Sequence, residues 1–152
     1  MKYKGILLAL VLLILACSMQ STFAEDTTVG NHTFTMPDNY VVMEQSNDKI
    51  SIGDHDNTNS IVIAFNIKQT PDQVKKSLED SGEKFIDSKT VKVNGYDVTQ
   101  MSFEDDNGYY HYIYICKKGD ETIGINLLSE KKCTDIGDNA NPATGILSSL
   151  KP

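Results

Sequence analysis

The sequence predicts one α+β domain: an antiparallel, strongly twisted sheet, a meander in its second half, with two short helices packed on it. Three observations carry that reading. Asn94-Gly95, Asn107-Gly108 and Gly119-Asp120 divide the second half into four segments rich in aromatic and β-branched residues, and such dipeptides between alternating segments mark tight hairpins. Thr70-Pro71 and Asn141-Pro142 place a capping side chain before a proline, which is the chemistry of a helix start. The composition, 39% hydrophobic and 23% charged over 152 residues, suits a single globular domain.

The first residues stand apart from that domain. Met1-Lys2-Tyr3-Lys4 is a short basic start, residues 5–16 are an unbroken apolar run, and small and polar residues follow. That layout is a secretory leader. Three readings of its end stand side by side: cleavage after Ala24, a lipid on Cys17 after Leu15-Ala16, or an uncleaved anchor. The apolar run is shorter than the ~20 residues of a membrane span. Every version exports the domain, so the expected location is secreted or at the outer face of the cell membrane, with the membrane touched only through the leader. The expected division is 1–24 leader, 25–32 flexible linker and 33–152 folded domain.

Loss of residues 1–24, which hold Lys2 and Lys4 and no acid, takes the formal charge from −7 to −9. The chain has no arginine. Nucleic-acid backbones and anionic lipid heads are gripped by clustered basic residues, so neither is an expected partner.

The elements follow in order. Residues 32–36 alternate, with Phe34 and Met36 on one side, and stop at Pro37-Asp38-Asn39, which is turn chemistry. Residues 40–44 and 49–53 are short strands, the second with Ile50 and Ile52 on one face. Residues 60–67 carry apolar side chains on both faces, which predicts a central strand covered, at least in part, on both sides. Thr70, Pro71 and Gln73 form a capping box for a helix to about Ser81, closed by Gly82. Only Val74 and Leu78 are apolar on it, so one narrow stripe is buried. A last helix follows Asn141-Pro142, its stripe being Ala143, Ile146, Leu147 and Leu150.

Two-residue turns predict the registers. Val93 paired with Tyr96 sets Ile86 opposite Phe103. Asp106 paired with Tyr109 sets Phe103 opposite Tyr112 and Met101 opposite Tyr114. Lys118 paired with Glu121 sets Tyr112, Tyr114 and Cys116 opposite Leu127, Ile125 and Ile123. One apolar face then gathers Ile86, Met101, Phe103, Tyr112, Tyr114, Cys116, Ile123, Ile125 and Leu127. The other holds Val91, Val98, His111, Ile113, Ile115, Gly124 and Leu128, and the side around His111 and Asn126 is the expected binding face. Tyr112 and Tyr114 read as core, since their cross-strand partners are aliphatic.

Chemistry-bearing patterns are sparse. Cys116 and Cys133, an even pair in an exported chain, are read as a disulfide that requires the segment after Ser129 to turn back across the sheet. Asp54, Asp56 and Thr58 alternate like the start of a calcium loop, but no Gly stands at its sixth position and Phe65 takes the place of the closing Glu. Asp54 and Asp56 are therefore weak metal candidates and no cofactor is expected. Asn31-His32-Thr33 is an N-glycosylation acceptor pattern. Histidines are scattered, and no nucleophile, phosphate-loop or zinc motif occurs, so no catalytic residue is named.

The entry Phe34-x-Met36-Pro37-x-x-Tyr40, the capped helix, the meander and the closing Ile146-Leu147-x-Ser149-Leu150 helix resemble the PsbP-like fold and small exported domains of methanogenic archaea. That resemblance covers residues 33–150 and implies a non-enzymatic accessory or binding module. The expected function is a non-catalytic module at the cell surface, binding a protein or glycan of the envelope. The alternatives are a small metal-dependent hydrolase using Asp54, His55 and Asp56, or a purely structural envelope protein.

Overall fold

The computed structural model describes residues 24–152. The readings of the leader, Cys17 included, lie outside the described residues. In order the elements are β1 (Asp26–Val29), β2 (His32–Thr35), β3 (Tyr40–Gln45), β4 (Lys49–Asp54), β5 (Asn59–Phe65), α1 (Pro71–Asp80), β6 (Lys84–Val93), β7 (Tyr96–Glu104), β8 (Tyr110–Lys118), β9 (Glu121–Ser129) and α2 (Pro142–Ser149). Strands β3 to β9 form one antiparallel sheet in the order β3-β4-β5-β9-β8-β7-β6, and β1 and β2 pair separately. The α+β architecture with a second-half meander is the one the turns predict.

Local chemistry explains both helices. Gln73 N–H donates to Thr70 Oγ1 at 3.3 Å, and Thr70 N–H donates to Gln73 Oε1 at 2.9 Å, so two otherwise unpaired amides of the first turn are satisfied. Gly82 takes φ 98°, and Glu83 N–H closes on Leu78 O at 3.0 Å. Asn141 Oδ1 caps α2 by accepting from Ala143 N–H at 2.9 Å.

The sheet carries a core on each face. The larger lies under α2 and the β1–β2 hairpin and holds Ile50, Ile61, Ile63, Tyr114, Ile125 and Leu127 with Phe34, Ile146 and Leu147. The smaller packs Met101, Phe103, Ile113 and Ile115 against Ile67, Val74, Leu78 and Phe85, which places α1 over β6, β7 and β8. Val74 and Leu78 are the stripe the sequence predicts, partly rather than fully buried.

Four expectations are corrected. Met101 and Phe103 do not share a face with Tyr112 and Tyr114. Strand β7 pairs Glu104 with Tyr110 and Phe103 with His111, one residue away from the expected register, and such a slip sends every side chain to the opposite face. Asp105 is the cause. Its carboxylate accepts from Asn107 N–H and Tyr109 N–H, both at 2.9 Å, and its own N–H donates to Tyr109 O at 3.0 Å. Three residues thus span the turn, with Gly108 at φ 82°, a loop of the glycine-bulge kind. Tyr96, Val98, Gln100 and Ser102 turn to the larger core instead.

The other three are local. Ile86 is not core: β6 bulges between Phe85 and Asp87, and Ile86 is 42% exposed. The expected linker at 25–32 is the first hairpin, with Asp26 to Val29 paired to Thr35 to His32 and Val29 fully buried. Its polar residues hid one apolar anchor. Cys116 and Cys133 are not bridged. The segment 130–141 does turn back across the sheet, but it sets Cys133 above Tyr112, whose Oη accepts from Cys133 N–H at 2.9 Å. Cys116 lies four residues further along β8, about 13 Å at strand rise.

Candidate functional site

Helix α1 covers only half of its side of the sheet. Beyond it the face is built from β5 and β9, where the register sets Ser60 beside Leu128, Val62 beside Asn126 and Ala64 beside Gly124. Strands β4 and β3 continue it with Gly53, Val41 and Met43. The residues are small or apolar, and Val41, Met43, Tyr109 and Leu128 are exposed. Met43 folds its sulfur onto Gly53, 2.7 Å from where a β-carbon there would stand. Between this floor and α1 lies a cleft of about 200 Å3, lined by Val62, Ala64, Ile67, Val74, Gly124 and Asn126.

The polar end of the face is His111 with Asn126, the two residues singled out from the sequence. Nδ1 of His111 donates to the Glu83 carboxylate at 2.7 Å and 2.9 Å, and Nε2 stands 2.5 Å from Asn126 Oδ1. The His111 and Glu83 side chains are 12% and 18% exposed. Both ring nitrogens are taken, one by a carboxylate and one by an amide, so the imidazole presents no free nitrogen to the cleft. The arrangement positions; it does not activate a nucleophile. Glu83 sits one residue past Gly82, so the relay also ties the end of α1 to the sheet. Sequence reasoning missed Glu83. Its only signal is its place after a helix-ending glycine, and the pairing depends on how the β5–α1–β6 connection crosses the sheet.

The remaining candidates fall elsewhere. Asp54 accepts from Thr58 N–H and Oγ1–H at 2.8 Å and 2.7 Å, and from Asn59 N–H and Nδ2–H at 3.0 Å and 2.7 Å. Burial raises its pKa, but these hydrogen bonds together outweigh that and hold the carboxyl at about 2. Its oxygens are occupied in shaping the 54–59 turn. Asp56 and His55 are exposed on that turn. Asn31 is exposed at the tip of the β1–β2 hairpin.

A second histidine cluster went unseen in the sequence. His32 Nε2 meets Glu121 Oε1, Tyr96 Oη–H donates to Glu121 Oε2 at 2.6 Å, and the His32 ring stacks on Phe65 at 4.2 Å. Burial raises the Glu121 pKa, but the bonds from Tyr96 and His32 bring it below the usual carboxylate range. The cluster fastens the hairpin to the end of the sheet.

The tyrosines have a structural task. Tyr114 is fully buried, burial raises its pKa, and its Oη accepts from Asn141 Nδ2–H at 2.9 Å. With Tyr112 and with Gln100, which accepts from Ile136 N–H at 2.7 Å, it straps the 130–141 segment to the sheet.

No family model and no curated protein sequence matches the chain. The solution structure of cyanobacterial PsbP (CyanoP) from Synechocystis is similar, with a TM-score of 0.51 over 74% of this chain and 84% of that one, at 9% identity. The fold is PsbP-like. At that identity the likeness to CyanoP is one of fold alone. Among the described residues, no helix is long and apolar enough to cross a membrane.

Proposed function

We propose that this domain is an exported, non-catalytic accessory module that binds a protein of the cell envelope through the open half-sheet between α1 and the β3 edge. The observation that carries the reading is the composition of that face. Met43, Leu128, Tyr109 and Val41 are exposed around a floor of small residues, and a contiguous apolar area rimmed by polar groups is characteristic of protein interaction sites. The cleft beside Asn126, about 200 Å3, is of the size of one large side chain rather than of a metabolite pocket, which spans roughly 300–1,000 Å3. The PsbP-like fold and the leader support the accessory and exported parts of the reading. Asp54, already holding four hydrogen bonds, lends no support to a hydrolase built on the 54–59 turn.

The test places a photo-crosslinking residue at Leu128, at Met43 and, as a control on α2, at Ser148, in the full chain made with its own leader. Adducts to one envelope protein from Leu128 and Met43 but not from Ser148 are expected. Equal labelling from all three positions, or a hydrolase activity that disappears when one polar side chain is changed, would overturn the proposal.

A further inference from the structure

Asn31 is the one asparagine of eleven that stands in an Asn-x-Ser/Thr triplet without proline at the middle position. The structure puts it at the exposed tip of the β1–β2 hairpin, on the side of the sheet occupied by α2 and away from the His111 face. That tip abuts the end of β3. A β-carbon at Gly30 would stand 2.6 Å from Asn47 O, and Gln45 Nε2–H donates to Thr28 O at 2.8 Å. Strand β3 is an edge strand of the main sheet, with Val41, Val42 and Met43 all exposed. Sheet edges pair with other chains unless charge, bulges or cover blunt them; β3 carries one bulge, between Val42 and Glu44, and its Gln45 end lies against the hairpin tip that bears Asn31.

We infer that Asn31 is an N-glycan acceptor, and that the glycan stands over the end of β3 and shields that edge from pairing with a second copy. This rests on the exported reading. In the transfer, Asn31 Nδ2 forms a bond to the anomeric carbon of a lipid-linked oligosaccharide. The bond from that carbon to the lipid phosphate breaks, the phosphate leaves with its electron pair, and the amide nitrogen gives up one proton.

The fold also sets when this happens. Once the hairpin closes, Thr33 exchanges two backbone hydrogen bonds with Lys151, at 2.9 Å and 2.8 Å, and its hydroxyl lies 3.0 Å from that of Thr28. The middle residue His32 is held by Glu121 and Phe65. An acceptor triplet must reach the transferase as free chain, so modification precedes folding. The tip position of Asn31 then leaves room for the sugar afterwards.

The experiment is an intact mass and a map of the peptide containing Asn31, on protein isolated from the cells that make it, for wild type, Thr33→Ser and Asn31→Gln. Exported protein carrying hexose-type mass on Asn31 in wild type and Thr33→Ser, and none in Asn31→Gln, is expected. Exported protein with unmodified Asn31 overturns the glycan while leaving export standing. Protein kept inside the cell with its leader intact overturns both. The shielding role is read by size-exclusion chromatography: Asn31→Gln is expected to shift toward oligomers, and a Asn31→Gln profile identical to glycosylated wild type overturns that role.

Discussion

Truncating Phe103 to alanine tests the β7 register and the second core together. The Phe103 ring is fully buried and meets Phe85 edge-on at 5.5 Å between centroids. An aromatic side chain of roughly 150–250 Å2, at about 25 cal/mol per Å2, contributes about 4–6 kcal/mol when buried. Measured aromatic truncations in cores cluster at about 3–5 kcal/mol, so a loss near 4 kcal/mol is expected. For a domain of this size that lowers Tm by about 15 °C. The companion change is Ile86→Ala. Had Ile86 faced Phe103 in a shared core, its truncation would cost about 2–5 kcal/mol; at the exposed bulge it costs under about 0.5 kcal/mol. Urea unfolding of both variants gives the two numbers. Amide exchange locates the damage, since Phe103→Ala is expected to deprotect α1 before it affects α2. Comparable losses from the two variants, or α2 loosening ahead of α1, would refute the two-sided sheet.

Three further outcomes follow from the same geometry. Tyr114→Phe removes the acceptor for Asn141 Nδ2, which keeps its bond to Thr134 O at 2.7 Å, so a loss of about 1 kcal/mol is expected, with faster amide exchange confined to residues 130–141. Asp54 is held at about 2 in the fold against 3.8 for an unperturbed carboxyl; a depressed folded-state pKa contributes stability present above the unfolded value and lost as pH falls through the folded one. The stability gap between wild type and Asp54→Asn, measured by urea unfolding, should therefore be flat above about pH 5 and shrink between about pH 4 and pH 2. Burial pushes the Cys116 thiol up to about 12, and Cys133 is half-buried and unbridged. Thiol titration of residues 25–152, which hold Cys116 and Cys133 alone, should find one reactive cysteine in the native protein and two in denaturant, whereas none in denaturant without reductant would restore the disulfide.

How much of this was legible in the sequence depended on how local each cause is. The caps of α1 and α2 lie within four residues of what they cap, and Val93–Tyr96 and Lys118–Glu121 close as read because two-residue turns leave no alternative. The β7–β8 turn failed the reading because Asp105, outside the Asn107-Gly108 signal, captures two amides with its side chain and lengthens the loop. Once shifted, Met101 and Phe103 found an apolar partner in α1 rather than water, so alternation alone did not expose the error. His111 and Asn126 were placed on the correct side because they sit on β8 and β9, whose shared register was right. Glu83 and the His32–Glu121–Tyr96 cluster join residues 28 and 89 positions apart, and no local spacing encodes them.

The order of strands has a consequence for the making of this protein. Strand β9 pairs with β5 on one side and β8 on the other, so it is the keystone of the sheet, yet it is the last strand synthesised. Before it arrives, β3-β4-β5 and β6-β7-β8 are two separate three-stranded ribbons, each with a bare inner margin. Asn59 must wait for Ser129, 70 residues later, to complete its ladder. Closure of so distant a pair is slow relative to local hairpins, which keeps the two ribbons apart for an interval. The main sheet therefore cannot lock until β9 has joined both ribbons, and until then each ribbon is held only by its own hairpins.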